Sequence, residues 1–399
     1  MMIQRLNYCY IQISLILLTV ACSSPTMDGE PVNNELKLID SVTFQVPFSY
    51  SPNHSARFYD EDLDKELLYF ADLKTQKEVL FFSLDGTLHY KVKLDSGINS
   101  LDKNVQDLEV ISLDTIVLLS NYSNRLVIIN REGSVWKTAN LNDALGLSED
   151  TIKSYEFISS LTNSSALINK HDIILFVDHI MNRNQFSSLT DAALANIKSS
   201  WKSKQLIRIN GIGTDSLSHN LGGALYQAIS PQDSSPYIIP LFKSYTVLPN
   251  AIYYTSLFSD KVFVLDPENL SIINEKTIES DYSSFGTPIY TAGTLEEQNH
   301  ASKKVSEHFK SSGKLGRISY NPHKKHFYLS ATISKSADQA GKWLLMIYDE
   351  EFQKIKEFLI DTKKYLGPLE VTENGFMLRK NLNIENYNEQ RVEMYEFTY

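Results

Sequence analysis

The sequence predicts an all-β fold: a six-bladed β-propeller built from four-stranded antiparallel blades. Three observations predict it. Short apolar runs recur from Leu36 onward, broken by Gly, Asn, Asp and Pro, as expected of strands separated by turns. A strand-turn-strand unit returns along the chain at roughly even spacing, the mark of stacked repeats. The last repeat is one strand short, and a lone strand-like run at the other end can complete it.

The repeating unit is clearest at Val79–Gly86 with Leu88–Leu94. It returns at Leu126–Gly133 with Val135–Leu141, at Leu206–Gly213 with Ser216–Leu221, at Val262–Pro267 with Ser271–Ile278, and at Leu344–Glu350 with Lys354–Ile360. Two further strand-like runs precede each unit, as Val105–Leu113 and Thr115–Asn121 do, so the blades span 55–94, 105–141, 154–221, 239–278 and 314–360. Sheets that cannot bury both faces alone must stack, and a ring of them is a propeller. The sixth blade has only Leu369–Thr372, Phe376–Leu382 and Arg391–Tyr399. Leu36–Val46 supplies its missing outer strand, and pairing the N-terminal strand with the C-terminal blade closes the ring and removes its exposed edges. A seventh blade would have to lie within 155–238, where Leu189–Trp201 reads as a helix.

Ahead of the propeller, residues 1–21 read as a lipoprotein signal peptide. One cation, Arg5, precedes an apolar run from Ile11 to Leu18, too short to anchor across a bilayer. Thr19-Val20-Ala21-Cys22 resembles the bacterial lipobox, with Thr standing where Leu is commoner. Cleavage after Ala21 would leave Cys22 to carry acyl chains, each buried methylene adding about 0.8 kcal/mol of membrane affinity. Residues 22–34, rich in Ser, Pro, Asp, Gly, Glu and Asn, form a flexible tether, and the propeller occupies 35–399.

The chain has 2 cysteines, Cys9 inside the signal and Cys22 at the acylation point. The mature fold therefore holds no internal disulfide and no thiolate-bound metal. It must rely on core burial, for which roughly 380 residues are ample. The formal net charge is −10, one unit more negative once Arg5 leaves, which argues against nucleic acid as a partner.

In a four-stranded meander, the links between second and third strands and those between blades emerge on one rim. That rim takes nearly all the insertions: Met181–Ser203, Asn142–Lys153, Gly222–Ile238, Glu279–Gly313, Ser334–Gly341 and Asn383–Gln390. Long links in a compact domain are often functional, so this rim is the expected recognition face for a protein, peptide or glycan. Tyr226, Tyr237, Tyr282, Phe285, Tyr290 and Tyr387 fall on it, among 22 Tyr and 19 Phe in all.

No catalytic motif, cofactor or metal site is expected. Asn210-Gly211-Ile212-Gly213 and Leu221-Gly222-Gly223-Ala224 lack the strand-to-helix setting of a phosphate loop and read as turns. His300 and His308 are two helical turns apart, a poor chelating pair, and His323 and His326 flank what reads as a surface hairpin. The constellation that stands out is on the innermost strands. Aligning them by their apolar neighbours places Arg57, Glu109, Glu156, Lys243, Arg317 and Glu370 at comparable positions, and Leu108-Glu109-Val110 repeats as Leu369-Glu370-Val371. Such a ring of cations and carboxylates around the central channel could hold a polar ligand, or simply balance its own charge.

The lipobox-like start, the propeller periodicity and the closing N-terminal strand together resemble the six-bladed, TolB-like propeller lipoproteins of unassigned function found in Bacteroidota. The resemblance implies an outer-membrane lipoprotein facing the periplasm or the cell surface. The leading expectation is a non-enzymatic binding or scaffold propeller. The alternative is a propeller hydrolase or lactonase working through channel carboxylates such as Glu109, Glu156 and Glu370.

Overall fold

Antiparallel meanders follow one another along the chain and form six blades. The structure is a computed structural model. It describes residues 36–46, 55–60, 63–74, 77–100, 105, 107–120, 125–141, 155–158, 167–169, 171–179, 206–212, 214, 217–223, 235–236, 243–256, 259–285, 290–291, 313–333, 341–381 and 392–399. The signal segment, Cys22 and the tether lie outside the described residues, as do Leu189–Trp201 and most of each long link. Contacts gather 36–399 into one unit.

From innermost to outermost strand, blade one runs Ser55–Asp60, Lys65–Asp72, Glu78–Ser83 and Leu88–Lys93, and blade two Asp107–Ser112, Thr115–Ser120, Arg125–Ile129 and Val135–Asn140. Blade three runs Tyr155–Ile158, Asp172–His179, Leu206–Asn210 and Ser218–Gly222, with Leu167–Asn169 as an extra short strand on the second. Blade four is Lys243–Leu248, Ala251–Ser256, Lys261–Leu265 and Ile272–Thr277, and blade five Lys314–Asn321, His326–Thr332, Lys342–Tyr348 and Lys354–Asp361. Blade six takes Tyr365–Val371, Phe376–Lys380 and Val392–Thr398 from the C-terminus and Lys37–Phe44 from the N-terminus. The closing pair is antiparallel, with Lys37 opposite Thr398 and Phe44 opposite Val392.

Burial explains why the strands read as they do. A third strand is covered on both faces by neighbouring blades, so it is apolar at successive positions: Val79, Leu80, Phe81 and Phe82, or Leu126 to Ile129, are all buried. An outermost strand faces solvent on one side and alternates instead, as Val135–Asn140 does between half-buried and exposed residues. The cores lie between blades. One cluster joins blades one and two, one runs through blades two, three and four, and one each joins four with five and five with six. Phe44, Leu68, Phe70, Phe82, Met377 and Met394 form the cluster that joins blade six to blade one and shuts the ring.

The turn into each outermost strand repeats as a unit in blades one, two, four and five. Its fourth or fifth residue takes a left-handed conformation: Gly86 (φ 88°), Gly133 (φ 76°), Leu270 (φ 60°) and Phe352 (φ 64°). The strand that follows opens with a bulge in all four blades. This turn packs on the preceding blade's outer strand. At blade two a Cβ on Gly133 would run into the carbonyl oxygen of Lys93. At blade four the roles are exchanged, with Leu270 in the turn and Gly222 on the neighbouring strand making room for it.

Three elements go beyond the sequence reading. A short helix, Asp95–Ser100, links blades one and two and buries Ile98 in their shared core. The extra strand Leu167–Asn169 is the second. The third is a two-stranded ribbon, Ser235–Pro236 with Tyr290–Thr291, which pairs the link after blade three with the link after blade four.

Candidate functional site

All six charged residues singled out from the sequence fall on innermost strands. The side chains of Glu156 and Lys243 lie outside the described residues. Arg57, Arg317 and Glu370, from blades one, five and six, line one central cavity of about 190 Å³. Glu109 is half-buried on blade two and is not among the residues lining it.

Glu370 sits between the two guanidinium groups, since its blade is flanked by theirs. Its Oε1 is 3.5 Å from Nη1 of Arg317, an ion pair longer than a hydrogen bond. Its side chain is only 5% exposed. Burial pushes the Glu370 carboxyl above the usual carboxylate range, while Arg317 and Arg57 pull the other way. Arg57 is ion-paired to Glu66 on the second strand of its own blade. Burial lowers the Arg57 guanidinium from its ordinary value against the attraction of Glu370 and Glu396, yet an arginine stays protonated at any working pH. Arg57 Nε, Arg317 Nε and Nη1, and Glu370 Oε1 are buried without a hydrogen-bond partner among the described residues.

Local backbone geometry aims these groups. Arg317 lies in a bulge, where pairing skips from Leu315 to Ile318. Its N–H donates to Ser330 Oγ at 2.8 Å, and that hydroxyl donates back to the Arg317 carbonyl at 3.3 Å. Blade four pins the same segment: Ile318 N–H donates to Ser244 Oγ, and Thr255 Oγ1 donates to the Gly316 carbonyl. A matching skip from Leu366 to Leu369 precedes Glu370. A bulge re-aims the side chains that follow it.

Glu66, Tyr245, Thr246, Ser319, Tyr320 and His323 also line the cavity, and sequence reasoning placed none of them there. His323 belongs to a turn held against blade six by the fully buried Asn321. That side chain accepts from the N–H groups of His323 and Lys324 and donates to the carbonyls of Thr372 and Gly375. The turn that reads as a surface hairpin thus brings His323 to the cavity. Blade four contributes Tyr245 and Thr246, further along the strand than Lys243, and Tyr245 Oη donates to the Ile174 carbonyl of blade three at 2.8 Å. Glu66 ends the acidic stretch Asp60 to Glu66 just before the apolar run Leu67 to Ala71, so nothing in the sequence sets it apart from its neighbours.

The expected rim aromatics divide. Tyr282 is exposed, whereas Phe285 packs against the core between blades four and five and bridges to Gly313. Tyr226, Tyr237, Tyr387 and the side chain of Tyr290 lie outside the described residues, with His300 and His308. His326 sits on a strand, with Nδ1 hydrogen-bonded to Tyr399 Oη.

Fold and cavity together define the chain as a six-bladed β-propeller with a charged centre. It is similar to a solved member of the DUF4221 family from Bacteroides vulgatus, with 16% identity and a TM-score of 0.65 over 91% of this chain and 98% of that one. A Bacteroides fragilis protein named as exported aligns at 8% identity and a TM-score of 0.49, over 91% of this chain and 96% of the other. The first likeness supports the fold; the second is too distant to carry an argument. No protein-family model matches the sequence, and no curated protein matches it.

Proposed function

We propose that the protein is a non-enzymatic binding propeller that holds a polar group of a protein, peptide or glycan partner at its central cavity. The observation that carries this reading is the convergence of Arg57, Arg317 and Glu370, from three different blades, on one cavity. Their unpartnered atoms offer both donors and an acceptor. Peptide termini, amide groups and sugar hydroxyls present the complementary pattern. The lipobox-like Thr19–Cys22 supports a setting outside the cytoplasm, with acylated Cys22 tethering the ring to the outer membrane.

Peptide and glycan arrays probed with the purified full chain test the reading. Capture of a defined class, lost in both Arg57→Gln and Glu370→Gln proteins that still melt cooperatively, is expected. Capture that survives both substitutions, or no capture on either array, overturns it. Labelling of cells with an alkyne fatty acid, lost on Cys22→Ser, tests the tether separately.

A further inference from the structure

A second cavity, also of about 190 Å³, lies between blades five and six, and its lining is almost wholly apolar. Ala331, Trp343, Leu345 and Leu369 form walls, with Arg317 and Gly367 beside them. The two bulges create it. Gly316 and Gly367 each fall at a skip in strand pairing, and a Cβ on Gly316 would run into Ser330 of the neighbouring strand. A Cβ placed on Gly367 would meet nothing within 4 Å.

The polar atoms here are one-sided. Arg317 Nε and Trp343 Nε1 are buried without an acceptor among the described residues, and Arg317 Nη1 has no hydrogen bond, only the longer ion pair to Glu370 at 3.5 Å. All three are donors. Two of the lining hydroxyls are engaged elsewhere: Ser330 Oγ with the Arg317 backbone, and Tyr328 Oη with Asn321 and Tyr399. A buried donor left unmatched costs free energy, more so when it carries charge. An apolar space bordered by a cation and unmatched donors suits one ligand chemistry.

The geometry points to a binding site for a small carboxylic acid with an apolar body. Its carboxylate meets the Arg317 guanidinium and Trp343 Nε1, and its ring or alkyl chain lies against Leu345 and Leu369. Apolar cavities of about 150 Å³ take up benzene, so this space accommodates a ring on a short acidic arm. The site goes beyond the central-cavity reading and shares Arg317 and Ser319 with it. An acyl or aryl acid could bind here whether or not a macromolecular partner is held at the ring's centre.

Isothermal titration of the full chain with phenylacetate, octanoate and uncharged phenylacetamide tests the site. One acid molecule is expected to bind per chain, with the amide about tenfold weaker or more, because a charge-assisted bond is replaced by a neutral one. Gly367→Leu places a side chain in the empty space and removes acid binding without lowering Tm; Arg317→Gln removes it as well. Absence of binding by both acids, equal affinity for acid and amide, or acid binding unchanged in Gly367→Leu each overturns the site. Array capture is scored independently, so a failed titration leaves the central-cavity reading to its own test.

Discussion

Glu370 of the sixth blade lies with Oε1 3.5 Å from Nη1 of Arg317 on the fifth, and Arg57 on the first blade attracts the same carboxylate. One buried acid thus ties together three consecutive blades around the point where the ring closes. The arrangement is costly to break from one side. Glu370→Ala strands the buried Arg317, whereas Arg57 keeps Glu66, and a loss of about 3–5 kcal/mol is expected. The double variant Arg317→Met with Glu370→Leu should lose clearly less, because both charges leave together. Urea denaturation of the three proteins measures this, and a double variant as unstable as the single one would contradict it.

The same carboxyl sets a pH dependence. Burial raises the Glu370 value in the folded state, so the folded chain holds that proton more tightly than the unfolded chain. Its contribution is therefore fully present below the unfolded value and is lost as pH rises through the folded one. Glutamine does not ionise. Relative to the unaltered protein, Glu370→Gln should gain in Tm as pH rises from about 4 to neutrality. Scanning fluorimetry of both proteins across that range is the check, and a constant Tm difference is the contrary result.

Two glycines should respond oppositely to one substitution. Gly133 has φ 76° and its Cβ would run into Lys93 of the neighbouring blade, so Gly133→Ala should cost about 1–3 kcal/mol from backbone strain alone. Gly367 has open space around the corresponding position. Gly367→Ala should be neutral or slightly stabilising, by up to about 1 kcal/mol through the unfolded state. Chemical denaturation midpoints decide between these outcomes.

Ring closure rests on the apolar face of the N-terminal strand. Phe44 is fully buried against Phe70 and Phe82, with ring centroids 5.5 Å away in each case. Phe44→Ala should cost about 3–5 kcal/mol. It should also raise amide exchange first in Lys37–Phe44 and Val392–Thr398, the pair that joins the two ends of the chain. Exchange that rises uniformly across all blades would show that closure is not a local step.

Read alone, the sequence determined the blade count, the blade boundaries and the strand that closes the ring. These follow from local physics. Strands buried on both faces, such as Val79 to Phe82, must be apolar throughout, while outer strands such as Val135–Asn140 must alternate, and both patterns are written within a few residues. The six charged inner-strand positions were legible for the same reason. Which of them meet was decided by the tertiary structure. Each bulge, at Gly316-Arg317 and at Gly367-Pro368, shifts the alternation by a residue, so the direction of a side chain depends on how far its strand has slipped against its neighbour. Arg317 and Glu370 come together across a blade interface for that reason. Glu66 and His323 join them from a second strand and a turn, through contacts between residues far apart in the chain that no local pattern records.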